Sequence, residues 1–259
     1  MEKRLPISIS MISGPEAERI GRALESVAEW TSEIVVVLNQ DANDGTEEIA
    51  KKLGAKVFRE PWKGYLAQKN SAAEKSTQDW IFNLDADEAV SGALRHELEH
   101  FFSDSAKLQQ FAAISFPRLS WYCGRWIRHG DWYPDRQTRI WRRDRAKWGG
   151  VDPHAKLIVE GPVCRLSCDL EHFSTDSINR RLQKIIPFSD EFVIQKSATN
   201  RTPGLFDLAA RPAWRFLRAY FIRLGFLDGW QGYYIASHTA FATMVRYAKL
   251  REARLPKRK

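Results

Sequence analysis

Strand and helix patterns alternate through the first hundred residues, and this alternation constrains the fold more than any other feature of the sequence. Residues 34–38 are apolar at every position, which is typical of a strand buried on both faces of a parallel sheet. Apolar residues recur at helical spacing at Ile20, Leu24, Val27 and Trp30. Strands are predicted over residues 7–12, 33–38, 55–58 and 80–84, with helices between them and a further helix over 90–102. The alternation predicts an α/β fold, with a Rossmann-like central sheet and helices on both faces.

Polar residues follow these strands, at the edge of the sheet where ligands bind. In open α/β sheets the ligand lies beyond the carboxyl ends of the strands. Those ends are residues 13–14, 39–44 and 85–88. The sequence contains neither the Gly-x-Gly-x-x-Gly of dinucleotide-binding proteins nor the Gly-x-x-x-x-Gly-Lys-Ser/Thr of phosphate-binding loops. The strand ends offer carboxylates instead.

Asp85, Asp87 and Glu88 place three carboxylates within four residues, directly after a predicted strand. Hard oxygen ligands of this kind suit Mg²⁺ or Mn²⁺, which usually binds through one or two carboxylates together with substrate phosphates. The alternative is an acidic turn that caps the following helix, because negative charge is favoured at a helix N-terminus. The position at the end of a buried strand favours a site for a metal ion and a diphosphate.

Composition places the chain among globular proteins and gives it an uneven charge. The 259 residues are 44% hydrophobic and 28% charged, with a net charge of +8. Residues 211–259 hold eleven Lys and Arg against Asp228 and Glu252, a balance of +9 that leaves −1 for the other residues. The apolar stretch 7–12 is shorter than a signal peptide requires, and no apolar run reaches ~18–20 residues. We expect a cytoplasmic protein whose cysteines are free thiols. The cysteines are Cys123, Cys164 and Cys168.

His96, Glu97 and His100 match the H-E-x-x-H pattern of zinc peptidases, in which two histidines hold zinc and the glutamate is the base. The apolar residues of this predicted helix include Leu94 and Leu98, so the histidines are expected on its exposed face. A solvated helix face is therefore the favoured interpretation, and a zinc peptidase is a less favoured alternative.

A series of motifs extends over nearly the whole chain. The motifs are residues 34–37, 43–46, 68–70, 80–88, 121–128, 130–135, 139–141, 220–230 and 246–251. Together and in this order they resemble glycosyltransferase family 2, and more closely its lipopolysaccharide core β-glucosyltransferase-like branch. Several spaced motifs are more specific than an Asp-x-Asp alone.

This resemblance implies a GT-A fold of the nucleotide-diphosphosugar transferase type and an inverting transfer of a sugar from a nucleotide-diphosphate donor. It implies a UDP-sugar as the expected donor and Mn²⁺ or Mg²⁺ as the cofactor. Carried over by motif, Asp87 would hold the metal, with Asp85 beside it and in contact with the ribose. The other residues expected at the nucleotide sugar are Ser13, Asn39, Asp41, Asp44, Lys69, Asn70 and Arg139.

Inversion by direct displacement requires a carboxylate that takes the proton from the acceptor hydroxyl. Asp131, Asp135 and Asp152 are the candidates, and Asp152 is favoured because it lies in a Gly-rich loop well after the metal motif. An Asp before a proline is also a common turn residue, so both interpretations of Asp152 stay open. His154 is expected to orient the acceptor or to contact the diphosphate.

The sequence predicts a GT-A catalytic domain over residues 1–205 and a basic amphipathic helical segment over 206–259. Helices are predicted over 213–227 and 235–250, joined around Asp228. Arg211, Arg215 and Arg218 fall near one face among large apolar side chains, a pattern that suits a membrane interface.

The expected partners are an anionic membrane surface and a lipid-linked saccharide acceptor, such as lipopolysaccharide core or a similar envelope glycan. The expected location is the cytoplasmic face of the inner membrane. No nucleic-acid partner is expected, because the sequence contains no nucleic-acid-binding module. The alternative is a non-catalytic protein of the same fold that binds a membrane or nucleic acid.

Overall fold

A computed structural model describes residues 4–152, 155–174, 177–196 and 201–255. The chain divides into two compact units. The first unit comprises Met1–Arg118 and Asp135–Phe173, and the second comprises Leu119–Pro134 and Ser174–Lys259. The second unit thus includes more of the chain than the segment 206–259 that was expected to associate with a membrane. That association stays a prediction.

The elements are numbered here in chain order. The strands are β1 (Leu5–Ser13), β2 (Thr31–Asn39), β3 (Lys56–Glu60), β4 (Trp80–Asn83), β5 (Glu88–Val90), β6 (Ala113–Tyr122), β7 (Arg125–Ile127), β8 (Asp135–Arg142), β9 (Ala146–Gly149), β10 (Lys156–Val159), β11 (Val163–Arg165) and β12 (Leu170–Phe173). The helices are α1 (Ala17–Glu25), α2 (Thr46–Lys52), α3 (Tyr65–Lys75), α4 (Gly92–Ser103), α5 (Ser105–Gln110), α6 (Ile178–Gln183), α7 (Ile185–Lys196), α8 (Arg211–Leu217) and α9 (Gly229–Glu252).

The first unit is built on a mixed sheet that begins with four parallel strands. The strand order is β3, β2, β1, β4, β8, β6, β12, β5. β1 is parallel to β2 and β4, and β2 is parallel to β3. β8 is antiparallel to both β4 and β6. β12 is antiparallel to β5 and places His172 opposite Glu88. The topology therefore brings residues from the end of this unit next to the acidic turn after β4.

Buried side chains cover both faces of this sheet. Ile7, Ile9 and Met11, which point to one face of β1, belong to a large buried cluster with apolar residues of α1 and α4. Phe82 of β4 joins that cluster, whereas its neighbour Ile81 belongs to a second cluster that packs against α3. Each fully buried side chain of this size contributes ~1.5–3 kcal/mol. The predicted α/β sheet with helices on both faces is confirmed.

The first helix is shorter than its apolar spacing suggests. α1 ends at Glu25, although Val27 and Trp30 are buried. The hydroxyl of Ser26 donates to the carbonyl of Ala23, and the indole of Trp30 donates to the carbonyl of Ser26, both at the end of the helix. The last two apolar residues therefore belong to the turn that leads into β2.

The second unit contains β7 and α6 to α9. The helix predicted over 213–227 is interrupted: π turns at Phe206–Ala210 and Arg218–Ile222 flank α8, and a 3₁₀ turn at Gly225–Asp228 precedes α9. Gly232 of α9 lies against this turn, where a Cβ would come within 1.8 Å of the Gly225 carbonyl oxygen. A larger residue would push α9 off the turn. In the part of the chain that the structure describes, no helix combines the length and apolar character needed to cross a membrane.

Candidate active site

A cavity of about 460 Å³ opens at the carboxyl ends of β1, β2 and β4. Ser13 at the end of β1 and Asn39 at the end of β2 line it, together with Asp85 and Asp87 after β4. The other lining residues are Ile12, Gly14, Glu16, Trp62, Tyr65, Lys69, Ala86, Arg118 and His172. This is the edge of the sheet at which the strand order places a ligand.

Two cations hold the carboxylate of Asp85. The Nη2 atom of Arg139 lies 2.7 Å from one carboxylate oxygen, and the Nζ atom of Lys69 lies 3.3 Å from the other. Burial opposes the ionisation of Asp85, but the charges of Arg139 and Lys69 outweigh it and hold its pKa well below the usual range. Asp85 is therefore ionised, with a hydrogen bond to each oxygen.

The pairing continues through the buried Glu88 to the start of β8. The Oε1 atom of Glu88 accepts from Arg139 at 2.6 Å and from Arg118 at 3.1 Å. Arg118 also donates to Asp135 at 2.7 Å. The complete series, termed the charge series below, is Lys69, Asp85, Arg139, Glu88, Arg118 and Asp135. It alternates in sign, so each buried charge has an opposite neighbour, as a low-dielectric interior requires.

Asp87 has a different set of neighbours. Its Oδ2 atom lies 3.4 Å from the Nε2 atom of His172 and 3.9 Å from the Nη1 atom of Arg19. Burial opposes the ionisation of Asp87, but the hydrogen bond and the charge of His172 outweigh it and lower its pKa. Asp87 and His172 both line the cavity. The ionised carboxylate of Asp87 is therefore available to a ligand that binds in the cavity.

Asp87 and His172 fit a divalent cation. A carboxylate oxygen and an imidazole nitrogen are both accepted by Mn²⁺, and phosphate oxygens and water commonly complete such sites. Across the described residues, no group of three or more His, Cys, Asp or Glu surrounds a single point. The pair therefore suits a metal whose remaining ligands come from a bound diphosphate. The expected role of Asp85 as a second ligand stays a prediction, since both of its oxygens are engaged.

Comparison with known proteins decides the family. Residues 8–162 match the family model described as Glycosyl transferase family 2. The chain is 32% identical to the uncharacterized glycosyltransferase RP128 of Rickettsia prowazekii, over 96% of this chain and 88% of that protein. The chain belongs to glycosyl transferase family 2. It is also 27% identical to the lipopolysaccharide core biosynthesis glycosyltransferase LpsC of Rhizobium meliloti, over 96% of this chain and 95% of LpsC.

Solved structures share the fold of this family 2 glycosyltransferase. The mannosyltransferase PcManGT of Pyrobaculum calidifontis superposes with a TM-score of 0.55 at 12% identity, over 98% of this chain and 89% of that one. Residues 1–349 of S. aureus TarS superpose with a TM-score of 0.50 at 14% identity, over 95% of this chain and 90% of that one. The predicted GT-A fold is confirmed.

The residues expected at the nucleotide sugar fall into two groups. Ser13, Asn39, Lys69 and Asp85 line the cavity, and Arg139 lies directly behind Asp85. The others are not among the lining residues: they are Asp41, Asp44 and Asn70.

These three residues have other contacts in the family 2 fold. Asp44 accepts from the backbone of Thr46 and Ala17, which joins the starts of α1 and α2. Asn70 exchanges hydrogen bonds with the backbone of Trp148. Asp41 is exposed and follows the end of β2. Their contact with a nucleotide stays a prediction, and the observed bonds of Asp44 and Asn70 are structural.

The three candidate bases occupy distinct positions. Asp152 accepts from the backbone N–H of Leu66 at 2.7 Å at the start of α3, so it caps that helix. Asp131, in the second unit, is surrounded by guanidinium groups; they belong to Arg215, Arg218 and Arg223. As far as the described residues show, Asp135 alone of the three bonds to a residue that lines the cavity, namely Arg118. His154 lies outside the described residues.

The H-E-x-x-H pattern lies on α4 with its histidines exposed, as the sequence predicts. The side chain of His96 is 81% exposed and its ring contacts Glu99. Glu97 accepts from the backbone N–H groups of Ser167 and Cys168, so its carboxylate tethers a loop. The solvated helix face is therefore the better interpretation of this motif.

His172 and Arg118 are site residues that the sequence patterns did not indicate. His172 reaches the cavity because β12 pairs with β5, and Arg118 reaches it from β6. Both pairings join distant parts of the chain, and no local motif encodes them. In the sequence, His172 follows the segment that matches the family model, with no motif around it.

Proposed function

We propose that this family 2 enzyme transfers a sugar, with inversion, from a nucleotide-diphosphate donor to a lipid-linked glycan. The observation that carries the proposal is the Asp87–His172 pair in a cavity at the strand ends, next to an Asp85 that is already neutralised. That arrangement suits a diphosphate and a divalent cation better than it suits either alone.

The related proteins support a nucleotide sugar as the donor. PcManGT was solved in complex with GDP-Man and Mn²⁺, and TarS was solved in complex with UDP-GlcNAc. We propose a UDP-sugar for this chain. LpsC is named for lipopolysaccharide core biosynthesis and aligns with nearly all of this chain, which supports a core glycan or a similar envelope glycan as the acceptor.

Asp87 and His172 would hold Mn²⁺ or Mg²⁺ against the two phosphates of the donor. When bound, the cation would stabilise the negative charge that develops on the leaving diphosphate. Lys69 and Arg139 fix the carboxylate of Asp85, which would contact the ribose. Ser13 and Asn39, which line the cavity at the ends of the first two strands, would contact the nucleoside.

Asp135 is the proposed base. It bonds to the cavity residue Arg118 and its side chain remains 34% exposed, so an acceptor hydroxyl can reach it. Asp135 would take the proton from that hydroxyl as the oxygen attacks the anomeric carbon from the face opposite the leaving diphosphate. Arg118 would orient the carboxylate.

We propose that the second unit associates with the cytoplasmic face of the inner membrane, and that residues 206–259 contribute most to this contact. Large apolar side chains are exposed there beside arginines; they include Trp214, Leu217, Phe221, Ile222 and Trp230. Aromatic and aliphatic side chains mixed with Arg suit the interfacial plane of an anionic bilayer. This contact would bring the enzyme to the membrane that holds its lipid-linked acceptor.

Calorimetric titration with UDP, GDP, CDP and dTDP, each with and without Mn²⁺, tests the catalytic proposal. One nucleotide should bind tightly only with metal, and Asp87→Asn should abolish that metal-dependent part. Asp79→Asn is the matched control, because it removes an exposed carboxylate outside the cavity. Absence of binding by every nucleotide would favour the non-catalytic alternative.

Sedimentation with anionic phosphatidylglycerol vesicles tests the membrane proposal. Phe221→Ser combined with Ile222→Ser should weaken binding about ten-fold or more, because two exposed apolar side chains are lost. Ile158→Ser removes a comparably exposed side chain from the first unit and should leave binding unchanged. Equal binding by all three proteins would refute the proposed contact.

A further inference from the structure

The second unit contains a cavity of about 200 Å³ that is lined by cations. Arg181, Lys184, Arg215 and Arg246 line it, with His238 beside them. The remaining lining residues are Ile185, Phe188, Thr239, Ala242 and Thr243. Within the described ranges, therefore, no carboxylate lines this cavity. The cavity at the carboxyl ends of β1, β2 and β4, termed the donor cavity below, differs from it because both cations and carboxylates line it.

The cations that line this cavity have few carboxylate partners. Arg215 lies 3.5 Å from Asp131, which it shares with other arginines. In the described parts of the chain, no carboxylate forms an ion pair with Arg181, Lys184 or Arg246. Grouping like charges without a counterion costs free energy, so an unexplained cluster of this kind indicates a missing anion.

Arg181 is the most constrained of the four. Its guanidinium carbon lies 3.9 Å from the centre of the Trp132 ring, which fixes the plane of the group. Its Nε atom is buried and has no hydrogen-bond partner among the described residues. Burial lowers the pKa of Arg181 because it disfavours the charged form. Holding this charge at its position therefore costs folding free energy. A half-buried arginine that served the fold alone would be expected to have a carboxylate partner.

An aromatic cavity of about 510 Å³ adjoins the cationic one. The two share Arg215, Thr243 and Arg246 in their walls. Its aromatic lining residues are Phe192, Phe206, Trp214 and Tyr247. A ligand that extends from the first cavity into the second would thus meet cations at one end and rings at the other.

We propose that the cationic cavity of the second unit binds a phosphate group, carried by a larger molecule whose apolar or ring-bearing part occupies the aromatic cavity. Guanidinium groups present paired N–H donors that match phosphate oxygens, and four cations exceed what a single carboxylate would balance. A phosphorylated lipid and a phosphorylated sugar share this chemistry. The proposal concerns a second site and does not depend on the proposed reaction.

Binding by the full-length protein tests this site with two probes. One probe is inorganic phosphate, followed by calorimetry and by the shift in melting temperature. The other is phosphatidylcholine vesicles with and without phosphatidic acid, followed by sedimentation. Lys184→Ala combined with Arg246→Ala should weaken the binding of whichever probe the wild-type protein binds by about ten-fold or more. The variant should retain metal-dependent nucleotide binding, because neither residue lines the donor cavity.

A matched control separates this site from general attraction of a basic protein for anions. Arg180→Ala combined with Arg165→Ala also removes two exposed cations, neither of which lines the cavity. Should the double cavity variant fail to fold, Lys184→Ala alone serves, since Lys184 is exposed at the rim. A preference for vesicles with phosphatidic acid would identify a lipid headgroup, and binding of inorganic phosphate without that preference would identify a soluble phosphorylated ligand such as a phosphorylated sugar. Equal losses in the cavity and control variants, or no binding of either probe, would overturn the proposal.

Discussion

The Nε2 atom of His172 lies 3.4 Å from the Oδ2 atom of Asp87, across the antiparallel pairing of β12 with β5. In the register of these strands His172 stands opposite Glu88, one position after Asp87. The sheet therefore delivers an imidazole to the acidic turn from a strand near the end of the first unit. A carboxylate motif that looked self-contained in the sequence is completed by the topology.

Replacing His172 by Ala should weaken nucleotide binding in the presence of Mn²⁺ by about ten-fold or more, because a metal ligand or its support is lost. Binding without the metal should change little. Calorimetric titration of both conditions measures the difference. His96→Ala is the control, since it removes an exposed histidine from α4. An equal effect of the two substitutions would show that His172 has no role at the metal.

Glu88→Ala should destabilise the fold by about 3–5 kcal/mol, because it leaves the buried guanidinium of Arg139 and the half-buried one of Arg118 without their shared carboxylate. Urea denaturation at neutral pH measures the change in the free energy of unfolding. Glu99→Ala breaks a pair on the surface of α4 and should cost about 0.5 kcal/mol or less. A small effect at Glu88 would mean that the charge series contributes little to stability.

Glu33 should make the free energy of unfolding depend on pH in the acid range. Burial opposes its ionisation, but hydrogen bonds from Lys56, Ser8 and Thr77 outweigh it and lower its pKa from 4.5 to about 2. Because the folded-state pKa is depressed, its contribution is present above about pH 4.5 and is lost as the pH falls toward 2. At neutral pH, the depressed pKa of Glu33 contributes on the order of 3 kcal/mol to the free energy of unfolding.

Glu33→Gln should therefore destabilise the protein at pH 7 and much less near pH 2. Urea denaturation of both proteins across this range gives the difference at each pH. Glu25→Gln, at an exposed position of α1, supplies the comparison. A difference between wild type and Glu33→Gln that stays constant from pH 7 to pH 2 would contradict the assigned pKa.

Asp135→Asn should leave donor binding intact and lower the transfer rate by ~10²–10⁴-fold, because the proposed base is lost. Asp152→Ala should leave transfer nearly unchanged and reduce stability by about 1 kcal/mol, because the cap of α3 is lost. Single-turnover assays with thermal unfolding of each variant distinguish the two residues. A folded Asp152→Ala protein without activity would move the base to Asp152.

The sequence patterns predicted the first unit well where structure is local. The apolar run of β2 and the helical spacing of Ile20 and Leu24 in α1 each specify an element by themselves, and the ends of β1, β2 and β4 located the cavity. These features depend on side-chain periodicity and on the general geometry of parallel sheets, which neighbouring residues encode.

The predictions reached less far where contacts join distant residues. The spacing of Val27 and Trp30 suggests helix, yet tertiary packing buries both after the helix ends. Asp152 sits in a loop that looks suited to catalysis, but its carboxylate faces the backbone of Leu66. Arg118 and His172 depend on strand pairings whose register a single sequence does not encode.

The neutrality of the charge series links the binding of the nucleotide to the binding of the cation. The three cations and three carboxylates of the series cancel, so among the described residues this series offers no surplus positive charge to a diphosphate. The nearby Asp87 carries a negative charge of its own. On the proposed function, the nucleotide and the cation are therefore thermodynamically linked, and each raises the affinity for the other by the same factor. The rate of transfer would therefore depend on the nucleotide-sugar and cation concentrations together, and a low concentration of either one would stop the reaction.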